Sequence, residues 1–277
     1  MEQQDIDLLH RANLQMLQDF SSFCDTHGIV YFLTAGTLLG AARHQGFIPW
    51  DDDADVMMDV RNYRKFLKLS HLLPPRYFVQ NYRTDPKLGS KWTILRMNGT
   101  TVMPKDMTDY DIHFGVGMDI FPMYGLAATA PGRATQRAAD SMMQALLYRD
   151  WAKAKGKPVS ARMDLLYALL PGKLRIFALR FLERLLLRDP GHSDRAVSLY
   201  FDLNIRSIPI PADMLDPAAR VRLPFEEYSF WAPGRYEELL EIYYGDWRTP
   251  LPPEERVSHA DYIVDLEHSY KTYYTGP

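Results

Sequence analysis

The sequence lacks three features that would each define a large class of protein. Cys24 is the only cysteine in 277 residues, which excludes an intramolecular disulfide framework and a zinc site built from several thiolates. No apolar run reaches the roughly 20 uninterrupted residues that a membrane-spanning helix needs. The formal net charge is −3, so the overall charge favours no nucleic-acid partner, and we expect none. What remains, 47% hydrophobic and 24% charged residues, is typical of a globular protein.

A polar segment at the N-terminus and the most apolar segment of the sequence bear on the cellular location of the protein. The first seven residues, Met1-Glu-Gln-Gln-Asp-Ile-Asp7, are polar and acidic, whereas a secretory signal is basic and then apolar. We therefore predict no export signal and a cytoplasmic location. The most apolar region, 165–187, is interrupted by Pro171-Gly172 and carries basic residues. Residues 162–188 are compatible with an amphipathic segment on the inner membrane face; the alternative is helices that pack on the domain or form a dimer contact.

The run Trp50-Asp-Asp-Asp-Ala-Asp55 concentrates four carboxylates within five residues. Like charges at this density repel one another unless a cation neutralises them. If the run enters a strand, side chains alternate between faces, so Asp53 and Asp55 point to the same side with Cα atoms roughly 6.5–7 Å apart. The pair is therefore predicted to hold a divalent cation, Mg²⁺ or alternatively Mn²⁺. A solvated acidic turn is the competing interpretation.

A third carboxylate, Asp119, stands alone in the apolar segment Gly117-Met-Asp-Ile-Phe-Pro122. An acid buried in such a segment usually has a partner. If its strand neighbours the strand of Asp53 and Asp55, the three carboxylates converge, which is enough for one or two metal ions and for phosphoryl-type transfer. The alternative is a surface aspartate at a strand edge.

Residues ahead of the acidic run are candidates for binding phosphate. Gly36 and Thr37 lie at the start of a short predicted helix, where glycine lets backbone N–H groups approach an anion. Arg43 could fork onto phosphate oxygens, and His44 follows it, although each taken singly is more often an ordinary surface group. Weaker candidates for contacting substrate or phosphate are Trp50, Asp52, Lys91 and Arg96.

Hydrophobic periodicity and turn residues predict an α/β (α+β) fold. Helices are predicted over 5–27, 36–44, 61–69 and 258–270, with two or three more between 129 and 188 that break at Pro158 and Pro171-Gly172. Strands are predicted over 29–33, 54–58, 77–80, 91–96 and 118–121. We expect residues 1–125 to form the catalytic core with its N-terminal helix, 126–206 a helical insertion, and 207–277 a segment that completes the active-site region.

The segment from Gly36 to Asp55, GTLLGAARHQGFIPWDDDAD, resembles the signature of the LicD family, the phosphocholine transferases and the fukutin-type ribitol-phosphate transferases. The resemblance continues in Asp119-Ile-Phe-Pro122. It extends to residues 236–247 together with Pro250, Pro252, Arg256 and His259. The similarity covers roughly 1–125 and 225–262 and leaves the helical middle outside.

The resemblance implies a nucleotidyltransferase-like fold, a small mixed sheet flanked by helices. Gly36-Thr37 would correspond to the glycine motif, Asp53 and Asp55 to the paired metal ligands, Asp119 to the third carboxylate, and His259 to a substrate-binding residue. It also implies transfer of phosphocholine from CDP-choline to a sugar hydroxyl of a cell-surface or lipid-linked glycan, such as lipopolysaccharide, teichoic acid or capsule, with release of CMP.

Several alternatives remain open at this point. The group transferred could be ribitol, glycerol or ethanolamine phosphate, the reaction could be nucleotidyl transfer, or the chain could be a non-catalytic binding module. A choline headgroup would favour an aromatic cage. Candidates for that cage are Trp50, Trp92, Tyr110, Phe114 and the C-terminal tyrosines, with core packing as the alternative role of each. The single cysteine excludes the cysteine zinc site of fukutin-related animal members.

Overall fold

A computed structural model describes residues 2–187, 193–198, 208–256 and 261–276. The described helices are α1 (Gln3–His27), α2 (Ala35–His44), α3 (Val60–Leu69), α4 (Ala130–Ala154), α5 (Ala161–Leu169), α6 (Gly172–Leu186) and α7 (Tyr236–Tyr244). The described strands are β1 (Phe32–Leu33), β2 (Ala54–Asp59), β3 (Tyr77–Gln80), β4 (Thr93–Met97), β5 (Thr101–Pro104), β6 (Gly117–Gly125), β7 (Arg195–Ser198), β8 (Ile210–Pro211), β9 (Val221–Phe225), β10 (Tyr228–Ala232) and β11 (Tyr262–Asp265). The predicted mixed α/β class is confirmed.

The central sheet has the strand order β1-β2-β6-β4-β3, with β7 paired to the end of β6 and β8 paired to β7. Strands β2 and β6 are parallel, and their register places Asp55 opposite Asp119. The other pairs in this sheet are antiparallel. Two smaller ladders, β9 with β10 and β5 with β11, flank it. The parallel pair at the centre therefore brings together carboxylates that are 64 residues apart in sequence.

Helix α1 covers the sheet with one apolar face and ends at Gly28, whose φ of 58° gives the left-handed cap that glycine favours. Its Phe20 ring packs edge-on against Tyr31 and Phe66, with ring centroids 5.3 and 5.6 Å apart. Cys24, on the same face, is completely buried. Burial, reinforced by the charge of Asp25, raises the pKa of its thiol well above the usual value.

Helices α4, α5 and α6 form a helical layer whose breaks lie at the predicted positions, around Pro158 and at Pro171-Gly172. Two ion pairs, one buried and one partly exposed, lie where this layer meets the sheet region. Lys91 Nζ lies 2.8 Å from Asp140 on α4, and Arg83 pairs with Glu183 on α6. None of the described helices is both long and apolar enough to cross a membrane.

The structure differs from the predictions most in the C-terminal third. The predicted helix over 258–270 is wrong in its described part, because Tyr262–Asp265 is a strand that pairs with β5. The run Tyr-Ile-Val is rich in strand formers, and its pairing with β5 outweighs the weak helical pattern. The small strands β5, β7, β8, β9 and β10 were not predicted, since each is short and depends on a distant partner.

Candidate active site

The parallel strands β2 and β6 present their acids to one pocket of about 530 Å³. Asp55 lies on β2, Asp119 lies opposite it on β6, and Asp53 precedes β2 in the loop. Asp51 also faces this pocket. Other residues that line it are Thr34, Ala35, Gly36, Leu39, Arg43, Ile48, Trp50, Phe121, Ser198, Ile208, Tyr243, Tyr244, Asp246, Trp247, Thr249 and Leu251.

The carboxylates of the pocket interact unfavourably with one another. Burial, then the charges of Asp53, Asp119 and Asp51, raise the pKa of Asp55 well above its ordinary value, while the Gly36 N–H that donates to it acts in the opposite direction. Burial and the charge of Asp53 raise the pKa of Asp119 to about 7, against the opposing effects of Arg96 and a hydrogen bond from Trp92. Burial and like charge therefore both disfavour the ionised forms of Asp55 and Asp119, and a bound cation would favour them.

This donor set suits a hard divalent cation. Asp51, Asp53, Asp55 and Asp119 offer only carboxylate oxygens, the ligands that Mg²⁺ and Mn²⁺ favour. As the side chains stand, no three His, Cys, Asp or Glu side chains in the described part of the chain are close enough to hold a metal ion. The chemistry of these donors fits a cation, and binding one would require the carboxylates to move closer together.

The start of α2 forms one wall of the pocket. Ala35 has a φ of 45°, a strained value for a residue with a side chain. At Gly36, any β-carbon would collide with the Asp51 carboxylate. Thr37 does not line the pocket; it is buried, and its hydroxyl accepts a 2.7 Å hydrogen bond from the backbone N–H of Asp55. The glycine motif thus positions the acids, and only part of it faces the cavity.

The loop that carries the acidic run is held from behind by α1. His10 Nε2 lies 2.7 Å from the carbonyl oxygen of Asp51, and Asn13 donates to the carbonyl of Asp52 over 3.0 Å. The His10 ring stacks on Phe47 at 4.4 Å. Asp52, predicted as a substrate contact, does not line the pocket in this structure, and its backbone has a structural role.

Two arginines lie at the rim. Arg43 donates through Nη1 to the carbonyl of Trp247 and through Nε to His44, both over 3.0 Å. The Arg256 guanidinium lies 4.5 Å from the centre of the Trp50 ring. Burial and the nearby charge of Arg256 lower the pKa of Arg43. His44 does not line the pocket, but its ring packs edge-on to Trp50, which does. Burial and the charge of Arg43 lower the pKa of His44.

Two of the other predicted residues lie elsewhere, and a third falls outside the described residues. Lys91, predicted to face phosphate, forms the buried ion pair with Asp140 and does not line the pocket, so we withdraw that assignment. Arg96 is also outside the lining; it donates to Gln80 Oε1 over 2.6 Å and to the carbonyl of Gly115 over 2.9 Å, and its charge acts on Asp119. His259 lies outside the described residues.

An aromatic wall formed partly by the C-terminal segment was only partly foreseen. Tyr243, Tyr244 and Trp247 join Trp50 and Phe121 around the acids. The C-terminal tyrosines were named as a group, but no residue pattern ties them to this wall. Tyr110 and Phe114, also considered for a cage, pack instead in a second apolar cluster with Leu88 and Met103. Asp51 is a further residue that the sequence did not single out from its acidic neighbours.

The comparisons with known proteins concern the segment that builds this pocket. The family described as LicD/FKTN/FKRP, nucleotidyltransferase domain, matches residues 28–141, which contain α2, β2, β6 and all four acids. This part of the chain is similar to the nucleotidyltransferase domain of the LicD family. A relative from Haemophilus influenzae, lipopolysaccharide cholinephosphotransferase LicD, is 50% identical over 54 residues, 20% of each chain. The predicted resemblance is thereby confirmed.

Other matches to known proteins are also partial. Mannosyltransferase regulator 4 of Saccharomyces cerevisiae is 30% identical over 128 residues, 43% of this chain and 10% of that protein. An uncharacterised protein of Rickettsia prowazekii is 48% identical over 42 residues, 15% of this chain and 16% of that protein. These matches each cover a fifth or less of the relative's length. The similarity therefore supports the nucleotidyltransferase-type part and leaves the rest of each relative without a counterpart.

Proposed function

We propose that this chain, whose residues 28–141 are similar to the LicD family, is a metal-dependent transferase. It moves a phospho-alcohol, with phosphocholine favoured, from a CDP-linked donor to a hydroxyl group of a glycan and releases CMP. The observation that carries the proposal is the convergence of Asp53, Asp55 and Asp119 on one pocket beside an aromatic wall. The name of the Haemophilus influenzae relative, a lipopolysaccharide cholinephosphotransferase, supports the choice of headgroup and acceptor class.

Mg²⁺, or Mn²⁺ in its place, would be held by Asp53, Asp55 and Asp119, with Asp51 as a fourth oxygen donor. When bound, it would offset the negative charge of the donor diphosphate in the transition state. Asp55 is buried and takes a backbone N–H from Gly36, so we assign it a fixed anchoring role. Asp119 is more open to the pocket, and we assign it the additional role of accepting the proton of the acceptor hydroxyl.

The rim arginines would bind phosphate oxygens of the donor. Arg43 uses Nε and Nη1 within the protein, which fixes the plane of its guanidinium, and its Nη2 donates to no other described residue. Arg256 adds a second positive charge at the same rim. A planar guanidinium held in this way suits a phosphate oxygen. The Gly36 N–H, by contrast, donates to Asp55, so its contribution to phosphate binding is indirect.

The aromatic wall would receive the headgroup. Trp50, Tyr243 and Tyr244 lie on the pocket that contains the acids, and a quaternary ammonium is attracted to aromatic faces. Ethanolamine phosphate would gain less from the same rings, and ribitol or glycerol phosphate would gain nothing from a cation–π contact. The wall therefore supports choline among the CDP-linked headgroups.

The primary test measures CMP release from CDP-choline with Mg²⁺ and a panel of glycan acceptors. Asp55→Asn and Asp119→Asn should each lower the rate at least about 100-fold, because several kcal/mol of charge stabilisation depend on the metal. Asp111→Asn is the matched control, since that carboxylate is 67% exposed and lies outside the pocket. Near wild-type CMP release by both active-site variants would overturn the proposal.

The fate of the label separates this reaction from nucleotidyl transfer. CDP-choline labelled in its choline methyl groups should mark the glycan, and CDP-choline labelled in cytidine should not. The reverse pattern would assign nucleotidyl transfer to the same acids. Mass spectrometry of the product identifies the group transferred.

A separate variant tests the assignment of choline as the headgroup. Tyr244→Leu should reduce the preference for CDP-choline over CDP-ribitol by about 2- to 30-fold, the range expected for one cation–π contact. Tyr228→Leu is the control, because Tyr228 is a partly exposed tyrosine on β10 outside the pocket. An unchanged preference would place the headgroup elsewhere while leaving the transfer reaction intact.

A further inference from the structure

The pair of helices α5 and α6 exposes a group of large apolar side chains. This hairpin patch consists of Leu165 (60% exposed), Leu169 (63%), Leu174 (51%), Phe177 (69%) and Phe181 (55%). The last three follow each other at intervals of three and four residues, so they form one stripe along α6. The opposite face of α6 is buried through Leu179, Leu182 and Leu186. The hairpin is thus attached to the protein by one face and presents an apolar surface on the other, which monomeric proteins rarely do without a partner.

The charges around the hairpin patch have one sign. Exposed basic side chains flank it at Arg162, Lys173, Arg180 and Arg184. Residues 161–187 contain two acids, and both are neutralised within the protein. Asp164 lies 2.8 Å from Arg149 and 2.9 Å from Lys153, and Glu183 is buried against Arg83. The outward surface of the hairpin is therefore positive although the whole chain carries a net charge of −3.

A second cavity concentrates this positive charge. It measures about 360 Å³ and lies between α3 and α6, where Arg180 and Arg184 face Arg64 and Arg83. Arg83 is engaged with Glu183, and Arg64 donates to the carbonyl of Leu187 over 3.2 Å. Arg180 and Arg184 form no ion pair with any other described residue. They are available for phosphate oxygens at the edge of the apolar stripe.

We propose that the hairpin patch docks on an anionic lipid bilayer. The leucine and phenylalanine side chains enter the boundary between headgroups and acyl chains, and the flanking arginines bind lipid phosphates. A second copy of the chain is disfavoured as the occupant, because a symmetric contact would bring two sets of arginines together. The hairpin lies on the surface and does not span it, in agreement with the lengths of the described helices. The proposal does not depend on the proposed transferase reaction.

Flotation of the full chain with vesicles tests the docking directly. Vesicles of phosphatidylcholine with phosphatidylglycerol should carry the protein upward in a density gradient, and vesicles of phosphatidylcholine alone should carry much less. The double variant Phe177→Gln/Phe181→Gln should lower the partition coefficient at least about tenfold, since each buried phenyl ring contributes strongly. Both side chains are exposed, so folding should be unaffected. Leu72→Gln is the matched control, because Leu72 is 53% exposed on another surface.

Substitution of the basic residues provides an independent test of binding to the vesicles. Arg180→Gln/Arg184→Gln should weaken binding to the anionic vesicles by about 20- to 30-fold, since each basic residue contributes about a factor of five. It should leave the weak binding to neutral vesicles unchanged. Arg11→Gln/Lys271→Gln removes the same charge from exposed positions outside the hairpin and serves as the control. CMP release from a soluble donor and acceptor should be unchanged in all of these variants.

Two results would overturn the proposal. One is equal flotation of the wild type, the Phe177→Gln/Phe181→Gln variant and the Leu72→Gln variant, or no flotation of any of them. The other is a dimer in sedimentation velocity that dissociates in the Phe177→Gln/Phe181→Gln variant, together with an absence of vesicle binding, which would assign the patch to a second copy of the chain.

Discussion

Buried acids in two regions of this protein have opposite surroundings. In the helical layer, Asp140 is fully buried with Lys91 Nζ 2.8 Å away, and Glu183 is buried with Arg83. In the pocket, the charges acting on buried Asp55 come from three other carboxylates. The first region supplies its own cations, as a stably folded interior requires. In the second region the like charges disfavour ionisation of Asp55, and we propose that a bound cation relieves this repulsion.

The largest expected effect comes from breaking the buried ion pair between Lys91 and Asp140. Lys91→Met should lower the free energy of unfolding by about 3–5 kcal/mol, because the Asp140 charge would stay buried without its cation. Chemical denaturation measures this change. The double variant Lys91→Met/Asp140→Leu should recover most of the loss, and a double variant as unstable as the single one would contradict the charge-based explanation.

Adding a cation should stabilise the pocket and leave the helical layer unaffected. Mg²⁺ at about 100 times its dissociation constant should raise the free energy of unfolding by about 2.7 kcal/mol. Thermal denaturation with Mg²⁺, Mn²⁺ and EDTA checks this. The Asp53→Asn/Asp55→Asn variant should show no such shift, and an equal shift in that variant would place the cation elsewhere.

Removing one hydrogen bond from the internal acids should have a smaller effect. Tyr82 donates to Glu183 Oε2 over 3.1 Å, so Tyr82→Phe should lower stability by about 1–2 kcal/mol. Arg83 still neutralises the charge in this variant, which explains why the loss stays below that of Lys91→Met. Urea denaturation of both variants side by side decides whether the order holds.

The smallest expected effect is a gain in stability, whereas the substitutions above lower it. Asp55→Asn should raise the stability of the metal-free protein by about 1 kcal/mol, because it relieves repulsion by Asp53 and Asp119. Thermal denaturation in EDTA measures it, with Asp111→Asn as the exposed control. A loss of stability in Asp55→Asn would mean that its hydrogen bond from Gly36 outweighs the repulsion.

The centre of the fold could be predicted because its signals are local. Strands were predicted around Asp55 and around Asp119, with convergence of the acids conditional on their being neighbours, and the structure places Asp55 opposite Asp119. The strand over Tyr77–Gln80 was predicted at its observed bounds. Likewise, Pro171-Gly172 predicted the break before α6. Each of these inferences needs only neighbouring residues or one long-range pairing.

What the sequence left undetermined depends on distant contacts. The charge and length of the Lys91 side chain are typical of a residue that binds phosphate. Only the structure shows that it pairs instead with Asp140, 49 residues away. Tyr262–Asp265 becomes a strand because β5 offers it a partner. Asp51 lines the pocket and its neighbour Asp52 does not, a difference that two identical adjacent residues do not reveal in the sequence. Assignments of this kind require the three-dimensional structure.

The single thiol of Cys24 has a practical consequence. It is fully buried and its pKa is raised, so alkylating reagents, which react with exposed thiolates, should leave it untouched in the native protein. The chain is therefore a ready background for site-specific chemical labelling. A thiol introduced by Phe177→Cys or Leu72→Cys would be the reactive one, and an attached environment-sensitive fluorophore would report separately on the hairpin and on a reference surface.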